Sequence, residues 1–335
     1  MLLRLWPEKT KVSFMNFRFI AMVISVLAVI ASAAVLSVRG LNLGIDFAGG
    51  SVIEIVQPEN TTAQDIREAL APLGLGQVDV NSARGTGQDA VDLAIIRFET
   101  QTPAEGEDPD QVQNVATEKV KQALRDAFNF PSAEAEALLP DAQKVFRSTA
   151  SVGPKVSGEL FRAGIQALGG ALFLMMVYIS FRFQWQYAVG AVVALVHDVT
   201  LTMGMFALTG FEFNLATIAA LLTIVGYSMN DTVIVFDRVR EEARKYKKLE
   251  LPKVVDIAIN ATMSRTLLTS GTTLLALLAI FLFGGEVLRG MSFALIFGVI
   301  VGTYSSIFVA SAVLLLLGID RGDKPKQEVQ GFTGA

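Results

Sequence analysis

Residues 215–236 read LATIAALLTIVGYSMNDTVIVF, an apolar run with one charged side chain, Asp231, and no proline. A helix of this length crosses the roughly 30 Å hydrocarbon core of a bilayer. A carboxylate placed inside it costs about 2.5–3.5 kcal/mol on insertion scales. Packing alone does not justify that cost, and the default reading of Asp231 is an ion or proton pathway.

The rest of the chain has the composition that such a segment implies. Hydrophobic residues make up 52% and charged residues 18%, with mean hydropathy +0.49; a soluble domain carries about 25% charge. Comparable apolar runs lie at 19–38, 163–181, 188–208, 267–283 and 291–317. Between the first and second, residues 39–162 are polar, with 11 Lys+Arg and 19 Asp+Glu, and form a segment long enough to fold alone. The expected architecture is a multi-pass α-helical membrane protein with six transmembrane helices and a soluble domain inserted between helices 1 and 2.

Basic residues orient the spans, because they concentrate in short cytoplasmic segments. Arg4, Lys9, Lys11 and Arg18 precede the first span, Arg182 joins the second to the third, eight lie between 238 and 265, and Arg321, Lys324 and Lys326 follow the last. The opposite turns, at 210–213 and 284–290, carry Arg289 alone. The expected layout is a cytoplasmic tail at 1–18, helix 1 at 19–38 and an extracytoplasmic domain at 39–162. Helices 2–6 follow within 163–317, with a cytoplasmic loop near 238–264, then a cytoplasmic tail at 318–335. Basic residues, an apolar run and Ala31-Ser32-Ala33 also resemble a cleavable signal peptide. The run continues through Val38 to spanning length, which favours an uncleaved helix. The absence of cysteine fits an exported domain that needs no disulfides.

In the polar segment, 51–57 alternates as a strand, and Thr62 with Asp65 opens a helix whose Ile66, Ala69, Leu70 and Leu73 share a face. Residues 78–80 and 91–98 read as strands. After the acidic loop 102–107, Asp108 and Pro109 start a helix with the stripe Val112, Val115, Ala116, Val120, Leu124 and Ala127. Residues 144–152 form the last strand. The order β-α-β-β-α-β is the α+β ferredoxin-like arrangement. No cysteine or histidine stands in this domain, so it reads as a binding or lever domain without catalysis.

The polar residues of the spans are more informative. Tyr227 and Asp231 lie one turn apart on one helical face, with Gly226 and Asn230 on the adjacent stripe. Arg265, at the cytoplasmic start of the fifth span, is long enough to reach Asp231. Thr266, Ser270 and Thr273 follow on one face, with Thr269 beside them. The rival reading makes Arg265 an interfacial anchor and lets the hydroxyls bond their own backbone. His197, the chain's single histidine, sits beside Asp198 in the third span; the pair reads either as a helix clamp or as a second proton relay. Gly298, Gly302, Ser306 and Ala310 recur every four residues, a small-residue packing seam. Val254, Ala258 and Ala261 suggest an amphipathic segment along the cytoplasmic interface. Asp231 and Asp237 stand on one helix with the second at the membrane edge, which excludes a paired-aspartate protease.

Several of these stretches together resemble the SecF family: Leu43-Gly44-Ile45-Asp46-Phe47-Ala48-Gly49-Gly50, the run 225–240, Ser264-Arg265-Thr266, 269–273 and Gly302-Thr303-Tyr304-Ser305-Ser306. The resemblance covers nearly the whole chain. It implies an accessory subunit of bacterial protein export, similar to the resistance-nodulation-division transporters. Such a subunit sits in the inner membrane with SecD as partner, beside the SecYEG channel and the translocating preprotein, and uses the proton gradient. It further implies that Asp231 and Arg265 are the family's intramembrane pair and that Asp46, with Gly44, Gly49 and Gly50, supports the outer domain. Met229 stands where an isoleucine or similar apolar residue is expected. No cofactor, metal or nucleic acid is implied; the coupling ion is a proton, with sodium as the alternative. A small-molecule exporter and a passive assembly scaffold are the other readings.

Overall fold

The computed structural model describes residues 10–76, 78–84, 91–101, 103 and 106–319. Arg4, Lys9, Arg321, Lys324 and Lys326, and part of the loop 102–107, lie outside the described residues. After a 3-10 turn at Phe14–Phe17, helix α1 (Arg18–Arg39) leads to the short α2 (Ile45–Ala48). The sheet domain then runs β1 (Gly50–Val56), α3 (Ala63–Leu70), β2 (Val78–Arg84), β3 (Asp92–Phe98), α4 (Pro109–Phe128), α5 (Ala133–Ala137) and β4 (Phe146–Val152). The chain re-enters the bundle as α6 (Pro154–Arg182), α7 (Trp185–Thr209), α8 (Leu215–Lys245), α9 (Leu251–Phe283) and α10 (Gly285–Ser305). A π-helical turn, Ser306–Ala310, passes into α11 (Ser311–Leu317).

Among the described residues, six stretches are long and apolar enough to cross a membrane: Phe14–Arg39, Pro154–Arg182, Trp185–Thr209, Leu215–Lys245, Leu251–Phe283 and Leu288–Leu317. The outer helices turn large apolar side chains outward, among them Val26 and Ile30 on α1 and Phe173 and Leu174 on α6. The inner helices α7 and α8 instead bury small residues, as close helix approach without a hydrophobic drive requires.

The sheet has the order β2-β3-β1-β4 with every neighbour antiparallel, the order expected for β-α-β-β-α-β. Ile53 and Ile55 alternate inward from β1 and meet Ile66, Leu70, Val120 and Leu124 of the two helices. Thr62 and Asp65 form a complete capping box, and Asp108 caps α4 ahead of Pro109. The stripe expected on α4 is rotated: Val115 is exposed and Gln113 is buried. Gln113 turns inward because its amide is used twice, donating to Ser51 Oγ at 3.0 Å and accepting from the Gln101 N–H at 2.8 Å.

Two further departures concern the bundle. The segment expected along the interface is the first half of α9, continuous with the fifth span. Its Val254 and Ala258 are fully buried, while Ala261 faces outward. The N-terminal turn covers it, with the Met15 N–H donating to Asp256 Oδ1 at 2.9 Å and Asn260 Nδ2 donating to the Val12 carbonyl at 2.8 Å. The sixth span is interrupted by the π turn, which its unbroken hydropathy did not announce.

The domain is fastened to the bundle by 42–46. Gly44 N–H donates to the Phe213 carbonyl at 2.9 Å, and Phe213 N–H to that of Asn42 at 2.7 Å. Asp46 Oδ2 accepts from the Leu215 N–H at 2.8 Å, placing a carboxylate on the N-terminus of α8, where the helix dipole favours it. Gly49 and Gly50 have φ of +74° and +117°, and a Cβ on Gly50 would press on the Phe98 carbonyl. The glycine pair therefore lets the chain turn into β1 against the neighbouring strand.

Candidate functional site

Asp231 sits in the middle third of α8, only 3% exposed, against α9 and the π turn. Its Oδ1 accepts from Thr266 Oγ1 at 2.9 Å and its Oδ2 from Ser306 Oγ at 3.2 Å. Ser306, expected to serve packing, is therefore a carboxylate ligand. One turn away on the same faces, Tyr227 donates to Ser270 Oγ at 3.2 Å, and Ser270 shares a 2.8 Å bond with Thr303. Residues spaced by four on α8 and α9 thus form two rungs, one charged and one neutral.

Arg265 makes no direct ion pair with Asp231, although its charge lies close enough to act on that carboxylate. Its side chain is exposed, and Asp231 meets its neighbour Thr266 instead. Consecutive helical residues point about 100° apart, so a helix that aims Thr266 at the carboxylate aims Arg265 away. Asn230 is exposed on the adjacent stripe, and Thr269 is exposed with its hydroxyl bonded to the Arg265 and Thr266 carbonyls. Thr273 is half-buried and takes no part in either rung. The small-residue seam faces α8: a Cβ on Gly298 would collide with Ile224, and one on Gly302 would lie 3.1 Å from Ser228 Cβ.

A second carboxylate lies deeper. Asp198 on α7 is fully buried, with Oδ2 accepting from Ser228 Oγ at 2.5 Å and Ser305 Oγ at 2.7 Å. Its Oδ1 is 2.9 Å from His197 Nδ1. Sequence reasoning missed Ser228 and Ser305. The signal available was their position: Ser228 is one turn before Asp231, and Ser305 directly precedes Ser306.

Fold and site together define a polytopic helical membrane protein with the carboxylates of Asp198 and Asp231 buried in its bundle and a ferredoxin-like domain beside it. A family model described as protein export membrane protein SecD/SecF, C-terminal, matches residues 134–320, and the SecD/SecF GG motif matches residues 34–56. The chain is 42% identical over 333 residues to the protein translocase subunit SecF of Cereibacter sphaeroides, covering 98% of this chain and 96% of that one. To that of Rhodobacter capsulatus it is 43% identical over 335 residues, with the same coverage. Among solved structures, it is similar to SecDF, a translocon-associated membrane protein from Thermus thermophilus, with TM-score 0.74 and 32% identity. That match covers 93% of this chain and 39% of the longer one, so the chain spans about two fifths of that protein's length. A SecDF structure in a super-membrane-facing form matches with TM-score 0.64 and 30% identity, over 95% and 40% of the two chains. The chain belongs to the SecF family of protein translocase subunits.

Proposed function

We propose that this chain works with SecD as a subunit that uses the proton motive force to promote preprotein translocation through the SecYEG channel of the bacterial inner membrane. Both termini lie in the cytoplasm and the sheet domain in the periplasm, following the basic residues of the loops. The chain is an ion-gradient-coupled translocation subunit rather than an enzyme. Asp231 carries the proton.

The observation that supports this most is the pair of hydroxyls on Asp231. Thr266 and Ser306 donate to the ionised carboxylate, and each also has lone pairs that accept from the protonated acid. The hydroxyls therefore serve both protonation states, and the Arg265 charge acts on the carboxylate without a direct ion pair. Arg265, Asn230 and Thr269 form a polar stripe on the outer faces of α8 and α9. A polar stripe at membrane depth needs a protein or aqueous neighbour, which SecD supplies, and on SecD binding Arg265 sets the charge balance at Asp231 from the rim.

One proton is worth about 2.3 kcal/mol per 100 mV, whereas moving a two-state equilibrium from 1:99 to 99:1 takes about 5.5 kcal/mol. The cycle therefore uses more than one proton or shifts populations partially. The test is preprotein translocation into inverted vesicles under an imposed pH or sodium gradient, comparing the wild type with Asp231→Asn. Asparagine keeps size and polarity but cannot titrate, so the pH-gradient-driven component should vanish. Undiminished stimulation in the variant overturns the reading, and stimulation by the sodium gradient alone reassigns the ion.

A further inference from the structure

Asp198 is held differently from Asp231. Two serine hydroxyls donate to one and the same oxygen, Oδ2, at 2.5 and 2.7 Å. Both hydroxyls converge on Oδ2 and the His197 ring stands against Oδ1, so the cluster can hold an anion. A buried anion needs a compensating charge, and the side chain in contact that can supply one is His197, by taking a proton on Nε2. That atom is buried and has no hydrogen-bond partner. The ring borders a cavity of about 380 Å³ between α1, α7 and the π turn with α11, lined otherwise by apolar side chains and Ser25. A clamp made only for packing would be expected to satisfy both ring nitrogens, since buried polar atoms are nearly always partnered.

The two carboxylates share their supports. Ser228 and Asp231 lie one turn apart on α8, and Ser228 serves Asp198. The neighbours Ser305 and Ser306 divide between the two acids, the first to Asp198 and the second to Asp231. They do so where α10 passes into the π turn, a feature found frequently at functional sites. Among the described residues, the other ionisable group facing the pair is the Tyr304 phenol on α10. Its ring centroid lies 6.3 Å from that of His197, and its hydroxyl donates to the Ala21 carbonyl at 2.9 Å. At this depth α1, α6 and α11 bring no ionisable side chain to it.

We propose that His197 and Asp198 form a second proton-binding site, coupled to Asp231 through the adjacent serines and through like charge. The proposal rests on the reading of Asp231 as a proton carrier and extends it to more than one proton per cycle. A proton from water adds to the Nε2 lone pair, forming an N–H bond and an imidazolium whose Nδ1–H stays on Asp198. Release breaks the same N–H bond and returns the proton to water. Two interacting sites titrate as a pair, so the occupancy of one alters the other.

His197→Asn is the discriminating variant, because the asparagine amide can occupy the place of Nδ1 and keep the bond to Asp198 while removing titration. Gradient-driven translocation in vesicles containing the full complex should fall at least about tenfold, the loss of 1.4 kcal/mol of coupling, and its pH profile should lose a step in the histidine range. Normal export with an unchanged pH profile overturns the proposal in favour of the clamp. Because the chain has one histidine, a second measurement needs no change at the pair: the imidazole NMR resonances of the full chain in lipid nanodiscs, followed against pH. They should move with pH, and Asp231→Asn should alter that response; resonances insensitive to pH, or a response identical in the variant, overturn it. Should Asp231→Asn leave gradient-driven export intact, the reading of Asp231 itself fails, whatever His197→Asn does.

Discussion

Each half of the molecule buries a polar cluster built largely from hydroxyls. In the sheet domain Ser51 bonds Thr117 at 2.7 Å and Ser151 at 3.0 Å, while the Gln113 amide closes the group. Every member there is neutral, and the cluster fastens α4 to β1 and β4 at any pH. In the bundle, Ser228, Ser305, Ser306 and Thr266 surround two carboxylates. The same donors that lock a neutral group make a carboxylate's surroundings depend on its proton. One cluster holds a shape, and the other has two states.

The contrast is broken most severely at Asp231. Its Asn substitution should abolish gradient-driven translocation while leaving the sheet domain's unfolding unchanged. The reverse experiment is Leu124→Ala, which empties a fully buried position of the sheet core. It should destabilise the domain by about 2–5 kcal/mol, read as a lower denaturation midpoint, with proton coupling per folded molecule preserved. Coupling lost in proportion to domain stability would mean that the two clusters work as a unit.

What the residues disclosed in advance follows from how far each signal reaches. Apolar length and turn-by-turn periodicity are local, so the six spans, the capping box at Thr62 and the succession of strands and helices along the chain followed from neighbours a few positions apart. Helix rotation is not local. Whether Arg265 or Thr266 meets Asp231, or Val115 or Gln113 enters the core, is a difference of one or two residues in facing, decided by the opposing helix. Ser228 and Ser305 were invisible for that reason, since isolated serines in apolar helices usually bond their own backbone. The contact between Arg97 and Glu212 joins positions far apart in the chain, and no pattern in either segment announces it.

A smaller effect sharpens the comparison within the site. Thr266→Ala removes one of the two hydroxyls on Asp231 and keeps the other. Interhelical side-chain bonds in membranes contribute about 0.6 kcal/mol on average and up to about 1.7, so coupling should fall by about threefold and at most about twentyfold. Translocation rates at fixed gradient measure it. A loss as complete as that of Asp231→Asn would show that Thr266 carries the proton onward instead of only holding the acid.

The weakest effect lies at the junction of the two regions. Glu212, in the turn between α7 and α8, pairs with Arg97 of β3 and lies over Gly44, where any Cβ would strike it. Burial pushes its carboxyl above the usual glutamate range, Arg97 pulls it back less strongly, and the nearby Asp46 adds to the rise. A carboxyl raised in the folded state favours folding in its protonated form. That contribution is full below the ordinary glutamate value of about 4.3 and is lost as pH climbs through the raised value. Glu212→Gln imitates the protonated form, so it should unfold at a higher temperature than the wild type at neutral pH, with the gap closing towards pH 4. If the wild type is instead the more stable at neutral pH, attraction to Arg97 outweighs burial, and the sheet domain is held to the bundle by charge as well as by the backbone bonds of 42–46.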